Sequence, residues 1–451
     1  MKTRRMRRGV GWGLAAVLAV AGAAAGAETN APVPAASTNA AAIELSLTVM
    51  QAVLTALEHN PAIAVQRYNP AIQRTAEDQE RAAFDPTLNG SASRQRTRSF
   101  ALSSATNAIT ASTAESEQIA VSADTLLPTG TRLGLGGRTE SDLLPTEDHL
   151  WGSRIGLTAT QPLLNGFGTA VNLASLRQAR LDTALSQYEF RGFVEAFVAR
   201  VESAYWDAVL AEYQRDIYSV SLRLAGNQLT ETQERIRLGK LAAVESAAAE
   251  AEVAARRETL INAESTLITA RLNLLRLVSP GGTNAWQRVP VLSSAPTPPE
   301  PPAGGVEEAV AHALRLRPDL NQARLSIERS ELEIVKTRNG LLPKMDLFVT
   351  LGRTGYADSF AESTRADIGN GYDTQVGVTL AYPLGNRAAR AAHTRAKLSR
   401  AQVEAALDNL ISLVQVDVRS AWVELIRTWQ QVDATRTTRR LQEAKLLAET
   451  E

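Results

Sequence analysis

Two stretches of the chain end alike: RIGLTATQPL at 154–163 and QVGVTLAYPL at 375–384. Each alternates apolar with small or polar residues, ends in Pro-Leu, and is followed by a long run without proline. Alternation with a period of two is typical of a β-strand that has one apolar face. The sequence therefore predicts a unit in which a strand leads into a long helix, and it predicts that this unit occurs twice.

The duplication extends outward from these stretches. Pro61 and Pro318 each follow a polar residue before a helical pattern, and Pro86 and Pro343 each precede the strand region; both pairs are separated by the same 257 residues. A tandem repeat of this length favours a pseudo-symmetric assembly over a single catalytic pocket.

The repeat defines the expected domains. The first copy occupies 43–280 and the second 306–451, and a proline-rich linker at 281–305 joins them. Strands are expected at about 86–165 in the first copy and at about 345–384 in the second.

The N-terminus has the pattern of a secretory signal peptide at 1–27, with five basic residues, a short apolar core and the small-residue cleavage site Ala25-Gly26-Ala27. An Ala/Pro/Thr-rich flexible leader at 28–42 follows it. The full chain has 48 basic and 48 acidic residues. Removing the five basic residues of the signal leaves 43 against 48, a net charge of −5, which is unlike a nucleic-acid binder.

Composition and motifs exclude several kinds of site. The chain has no cysteine, so disulfides and thiolate chemistry are excluded. The four histidines, His59, His149, His312 and His393, lack metal-ligand spacing, and there is no nucleophile elbow. We therefore expect no catalytic, cofactor or metal site and no enzyme activity. No apolar run after the signal is long enough for a transmembrane helix.

The strand pattern alone fits either a half-buried soluble sheet or a membrane barrel with lipid outside and water inside. Residues 86–151 are more numerous than a simple strand pair needs. They indicate either a longer extracellular hairpin or an extra strand pair, and we favour the longer hairpin.

The helical patterns are long. From Gly168 to about Leu238 there is no proline, and about 70 helical residues would extend for roughly 105 Å. The helix expected from about Arg387 has steps of three and four, as in a helix packed along another helix. Its apolar seam consists of Val403, Leu407, Leu410, Val414, Val418, Trp422, Leu425, Trp429 and Val432.

The returning helix at 241–278 has two apolar seams side by side. Leu260, Leu267 and Leu274 form the first, and Ile261, Ile268 and Leu275 form the second. A widened apolar stripe must contact more than one neighbouring helix. A closed ring of helices and a solid bundle both satisfy that requirement.

In this order of helices, strands and long helices the chain resembles the TolC family of outer-membrane efflux and secretion channels. The most specific pieces are QPLLNG at 161–166, YPLG at 382–385 and RIRLGK at 235–240, where the last resembles the family's hairpin turn. The resemblance implies a mainly α fold with β. It would be a tandem-repeat protomer of a trimeric outer-membrane β-barrel that continues into a long periplasmic α-helical barrel.

The resemblance also implies partners and a location. The expected protein is a homotrimer in the cell outer membrane, with outer-membrane lipid around the strands and the helical barrel in the periplasm. A periplasmic adaptor and an inner-membrane pump would dock at the far end, in a tripartite efflux or type I secretion system. The expected function is a passive export duct. A periplasmic coiled-coil scaffold without a pore is the alternative.

Three groups of residues are candidates for function. The expected tip near 239 is formed by Leu238, Gly239, Lys240 and Leu241. Glycine there indicates an ordinary helix stop, and the resemblance implies that this tip also contacts the adaptor. By the resemblance, Glu245 matches a position at which the family often places a carboxylate near the closed aperture; otherwise it is part of a solvated helix face. The residues expected to face lipid, if the chain forms a duct, are Ile155, Leu157, Val376 and Val378.

The second copy ends at Glu451, shortly before the position at which the first copy turns. The sequence is therefore expected to be truncated in the second repeat. The resemblance then places the family's pore-narrowing carboxylates beyond the last residue.

Overall fold

The computed structural model describes residues 44–103, 108–143, 149–278, 286, 288–297, 304–365 and 371–450. The expected signal peptide at 1–27 and the leader at 28–42 lie outside these residues. Within the described ranges, no helix contains a stretch long and apolar enough to cross a membrane.

Helices and strands alternate in two series. The helices are α1 Val49–His59, α2 Pro61–Arg81, α3 Thr169–Asn172, α4 Ala174–Arg237, α5 Val244–Val278, α6 Val306–Leu316, α7 Pro318–Asn339, α8 Phe360–Arg365 and α9 Arg387–Thr450. The strands are β1 Glu44–Leu47, β2 Thr87–Ser103, β3 Ala108–Leu126, β4 Arg132–Leu143, β5 His149–Pro162, β6 Val289–Leu292, β7 Lys344–Ala357 and β8 Gly371–Ala381. Both α4 and α9 have 64 residues, which corresponds to about 96 Å at 1.5 Å per residue.

The repeated prolines begin helices. Pro61 and Pro318 stand at the first positions of α2 and α7, where the missing N–H costs no hydrogen bond. Asn60 caps α2 through a 2.8 Å bond from the Ala62 amide, and its side-chain amide donates to the Leu277 carbonyl at 2.7 Å. One side chain thus begins α2 and fixes it to the end of α5.

The main sheet has six strands in the order β2-β3-β4-β5-β7-β8, and every neighbouring pair is antiparallel. Strands from the two repeats meet where β5 pairs with β7, with Leu157 opposite Leu351. The long helices leave this sheet at one end, since β5 leads into α3 and α4 and β8 leads into α9.

The expectation of a longer hairpin at 86–151 is wrong, because these residues form an extra strand pair. β2 pairs with β3 from Thr87 to Ser103, and β3 pairs with β4 from Ser116 to Leu126. Beyond Ala92 the strands lack apolar alternation, and cross-strand ion pairs such as Arg96 with Glu115 at 2.9 Å take its place.

The buried core lies where α1, α4, α5 and β1 meet. Tyr205 on α4 is fully buried, donates to the Leu47 carbonyl at 2.9 Å and accepts from the Ser294 amide at 3.0 Å. The core residues are Leu47, Ala52, Val53, Ala56, Ile63, Phe197, Val201, Tyr205, Ala208, Val209, Leu274, Leu277 and Val278.

A small parallel sheet joins the start and the middle of the chain. β1 pairs with β6, and Leu45 lies opposite Pro290. β6 lies inside the segment expected to be the linker, 281–305, so part of that segment is a strand packed near Tyr205. The pairing joins residues about 245 positions apart, and no local pattern indicates it.

Candidate channel wall and helical tip

The register of the six-stranded sheet sorts its side chains onto two faces. Because pairing partners share a face, the register determines the membership of each face. We call one of them the apolar face; its apolar members are Leu88, Ala92, Ile119, Val121, Ala123, Leu133, Leu135, Ile155, Leu157, Ala159, Met345, Leu347, Val349, Leu351, Val376, Val378 and Leu380. This band crosses all six strands; on the same side, farther from the long helices, lie Arg353 opposite Ile155 and the arginines and glutamates of β2 and β3 beyond Ala92.

The four residues expected to face lipid all lie on the apolar face. Ile155 and Leu157 are 51% and 44% exposed, and Val376 and Val378 are 69% and 57% exposed. An apolar surface that continues across a sheet in this way is uncommon on a monomer that stays in water. The structure thus brings together residues from the two repeats that the sequence placed separately.

We call the opposite side of the sheet the polar face. It carries hydroxyl, amide and charged groups: Asn89, Ser91, Ser93, Gln118, Ser122, Asp124, Arg132, Arg138, Arg154, Thr158, Thr160, Asp346, Thr350, Asp373, Gln375 and Thr379. Asp124 accepts hydrogen bonds from Asn89 at 3.2 Å and from Ser122 at 3.0 Å. This face is suited to contact with water.

Arg154 and Asp373 form an ion pair on the polar face that the sequence analysis missed. They lie on β5 and β8, with β7 between them. Gly352 on β7 leaves space for the pair, since a Cβ at that position would collide with both side chains. The pair therefore depends on one glycine in the intervening strand and links the two repeats.

The end of the apolar face farthest from the long helices is covered by α8, which the sequence analysis also missed. Trp151 packs edge-on against Phe360 with ring centroids 5.5 Å apart. The Ser153 hydroxyl lies 2.8 Å from that of Ser363 and 3.0 Å from that of Thr139. These buried hydroxyls mark the outer limit of the exposed apolar band.

The tip of the long hairpin is a tight helix stop. The Lys240 amide donates to the Arg235 carbonyl at 2.8 Å, and the Gly239 amide donates to the Ile236 carbonyl at 2.9 Å. Gly239 has φ +71, the left-handed conformation that favours glycine. This pair of bonds is the Schellman motif, and it explains the position of the turn.

The apolar side chains at the tip are open to solvent. Leu238 is 62% exposed and Leu241 is 38% exposed, and Lys240 is exposed as well. Glu245 is exposed in the first turn of α5, where the helix dipole favours a carboxylate. The turn itself does not need exposed leucines, so they are available for a contact.

The two seams of α5 have different surroundings. Leu267 and Leu274 of the first seam are buried in the packing of α5 along α4. Ile261 and Ile268 of the second seam are 57% and 60% exposed, whereas Leu275, its third member, is buried near the end of α5. One side of α5 therefore packs within the chain, and the other presents branched apolar residues to the outside.

Within the described part of the chain, no group of three or more histidine or acidic residues could hold a metal ion. His59 interacts with the Thr55 carbonyl at 3.2 Å, and His393 with the Thr337 hydroxyl at 3.2 Å. These two histidines have local structural partners.

Several solved structures have the same fold. The chain is similar to CusC, with 16% identity, a TM-score of 0.59, and coverage of 87% of this chain and 80% of that one. It is similar to the CmeC outer membrane channel of Campylobacter jejuni, with 14% identity, a TM-score of 0.57, and coverage of 81% and 68%. It is also similar to the open state of the MtrE outer membrane channel of Neisseria gonorrhoeae, with 18% identity, a TM-score of 0.53, and coverage of 86% and 74%.

No protein-family model and no curated protein matches the sequence. The structural matches show that the chain has a TolC-family fold, mainly α with an antiparallel sheet. At this level of identity the fold is what the comparison establishes.

Proposed function

We propose that this chain is one subunit of an outer-membrane export duct. The six-stranded sheet forms part of a barrel wall in the outer membrane, and the long helices continue it into the periplasm. The duct is passive, and an inner-membrane pump coupled through a periplasmic adaptor supplies the energy. The structures that this fold resembles include outer membrane channels.

The two unlike faces of the six-stranded sheet are the observation that carries this proposal. A wall between lipid and water needs one apolar and one polar face along every strand. The apolar face is continuous from Leu88 on β2 to Leu380 on β8, and the polar face carries charges such as Arg154 and Asp124. A soluble scaffold would have to cover the apolar face with further protein.

Several copies are needed to complete such a wall. In the described chain β2 and β8 each pair on one side alone, and lipid cannot satisfy the backbone groups of an open edge. Ile261 and Ile268 on α5 are likewise exposed and available to a neighbouring helix. We propose a homotrimer in which both surfaces meet the next copy.

Three measurements on the full chain test this proposal: membrane fractionation, subunit count in detergent, and conductance in planar bilayers. The expected result is recovery with outer membranes, a trimer after extraction, and discrete conductance steps. Recovery as a soluble monomer without conductance would overturn the duct and favour the periplasmic scaffold.

The tip formed by Leu238, Gly239, Lys240 and Leu241 is proposed as the contact with the adaptor. Its exposed leucines lie about 35 residues from the end of α5, or roughly 50 Å along the helix. Leu238→Asp should abolish export while leaving trimer formation intact. Gln228→Asp, on an exposed position of α4, is the matched control and should export normally. Normal export by both Leu238→Asp and Gly239→Pro would reduce the tip to a simple turn.

Glu245 is proposed as a carboxylate near the aperture, because it lies one turn beyond the tip and is exposed. Glu245→Gln should then lower the cation preference of the open channel, measured as a reversal-potential shift across a salt gradient. An unchanged reversal potential would place Glu245 on an ordinary solvated face.

A further inference from the structure

The two repeats differ in length at one place. Pro86 and Pro162 of the first repeat are 76 positions apart, whereas Pro343 and Pro383 of the second are 40 positions apart. The difference of 36 equals the length of the segment from Leu88 to Ala123, which is most of β2 and β3. In the sheet the hairpins β4–β5 and β7–β8 lie on either side of the β5–β7 pairing, and β2–β3 lies at the edge. By position in the sheet, β4 and β5 are therefore the counterparts of β7 and β8, and the β2–β3 hairpin is an addition.

From Thr87 to Ala92 and from Ile119 to Asp124 the added hairpin continues both faces of the sheet, whereas Arg94 to Glu117 beyond them is charged on both strands. Val121 and Ala123 extend the apolar face beside Gly137 and Leu135 of β4. On the polar face Asn89 and Ser122 lie opposite each other, and Ser122 lies opposite Gly136. The pairing of β3 with β4 runs over eleven residues, from Ser116 to Leu126. These features are those of a wall strand pair and not of a loop standing above the wall.

We infer that the added hairpin is built into the wall of the duct, so that β2, and not β4, pairs with β8 of the next copy of this chain. This inference rests on the proposed function. Six strands in alternating direction leave β2 and β8 antiparallel, so copies can join in the same antiparallel pattern. Pairing of β4 with a neighbour is blocked because β3 already occupies its edge.

The hairpin then determines the width of the barrel. Three copies with six strands each give eighteen strands, whereas three copies without the hairpin would give twelve. At about 4.8 Å between strands and a tilt of about 40°, the backbone diameters are roughly 36 Å and 24 Å. Barrels of sixteen to eighteen strands enclose an aqueous channel, which suits the polar face.

Disulfide trapping tests the pairing of β2 with β8 of the next copy. The chain has no native cysteine, so every crosslink comes from the introduced residues. Each of three double variants carries Asn89→Cys on β2 and one cysteine on β8, at Gln375, Gly377 or Thr379. All four positions lie on the polar face. Oxidised membranes should yield covalent dimers and trimers for at least one of these pairs. The matched control places cysteine at Gly136 on β4 with the same β8 positions, and it should yield none.

Crosslinks from the β4 control without crosslinks from β2 would overturn the inference but would not contradict the proposed duct. A native trimer that crosslinks at neither strand would also overturn it. Failure of the unmodified chain to form a trimer would instead contradict the proposed function.

A second variant measures the width directly. Thr87 and Asp124 are paired neighbours, so the segment 88–123 can be excised and the ends joined without moving β4. Electron microscopy of detergent-extracted trimers should give a barrel about 36 Å wide for the full chain and about 24 Å for the excised form. Equal barrel diameters would place the hairpin outside the wall and refute the inference.

Discussion

The first and second repeats share one skeleton but differ in how much sheet they carry. Each has a short helix, a second helix that begins at proline, strands and a 64-residue helix. The first contributes four strands to the six-stranded sheet and the second contributes two. A hairpin pairs its two strands with each other and offers an open edge on either side, so it can be added at a sheet edge without disturbing the strands already paired.

The repeats also differ in their cores. Tyr205 on α4 is fully buried and holds both β1 and the segment after β6. On α9, Val414 is fully buried, but Trp422 is half-buried. The middle of the long helix of the first repeat, from Phe197 to Val209, therefore lies in a closed core, whereas the long helix of the second packs on α6 and α7.

The largest expected effect concerns the two faces of the sheet. Val376→Arg places a charge on the apolar face, where a cation in lipid costs about 2–4 kcal/mol in each copy. Gln375→Arg, the adjacent exposed residue on the polar face, is the matched control. We expect Val376→Arg to prevent accumulation of trimer in outer membranes and Gln375→Arg to leave it unchanged, as measured by fractionation.

The same substitution in the first repeat sharpens the comparison. Leu157→Arg should act like Val376→Arg if both repeats contribute equally to the lipid surface. Normal membrane assembly of Leu157→Arg would show that the first repeat does not face lipid at this position.

The next effect concerns the cores of the two repeats. Leu274 on α5 and Leu320 on α7 are both fully buried, and truncating a buried leucine to alanine costs about 2–5 kcal/mol. Leu274→Ala should cost more than Leu320→Ala, because Leu274 lies in the large cluster around Tyr205. Denaturant unfolding of the detergent-extracted protein measures both. An equal loss would contradict the difference between the cores.

A smaller effect is expected for Tyr205→Phe. The substitution removes two hydrogen bonds but keeps the ring, and the Leu47 carbonyl retains the Ser293 amide at 3.0 Å. The free energy of unfolding should fall by about 1–2 kcal/mol. If Tyr205→Phe lowers the free energy of unfolding by only a few tenths of a kcal/mol, these hydrogen bonds do not stabilise the core.

The smallest effect concerns the caps of α1 and α6. Thr48 forms a reciprocal capping box with Gln51 on α1, whereas Gly305 begins α6 without a side-chain cap. Thr48→Ala should lower the free energy of unfolding by about 1 kcal/mol. Gly305→Ser should raise it by a few tenths of a kcal/mol, because the extended backbone at Gly305 suits a serine cap. Thermal unfolding of the two variants should shift in opposite directions, and shifts in the same direction would refute this account.

The sequence indicates those parts of the fold that have a local pattern. Pro61 and Pro318 mark helix starts, Gly239 marks the tip, and the alternation around Ile155 and Val376 indicates the strands. The added hairpin is hard to recognise from the sequence because 93–99 and 115–117 alternate Ser, Thr or Gln with Arg or Glu, and only the register reveals the ion pairs between them. The pairing of β1 with β6 and of Arg154 with Asp373 joins distant residues, so it depends on tertiary structure.

The most direct test of the duct is thiol labelling along β8 in intact outer membranes. Cysteine is introduced singly at Gln375, Val376, Val378 and Thr379 in the cysteine-free chain, and a water-soluble maleimide is added. A wall between lipid and water predicts labelling at 375 and 379 and protection at 376 and 378, in step with the two faces. Equal labelling at all four positions would place water on both faces and contradict the duct.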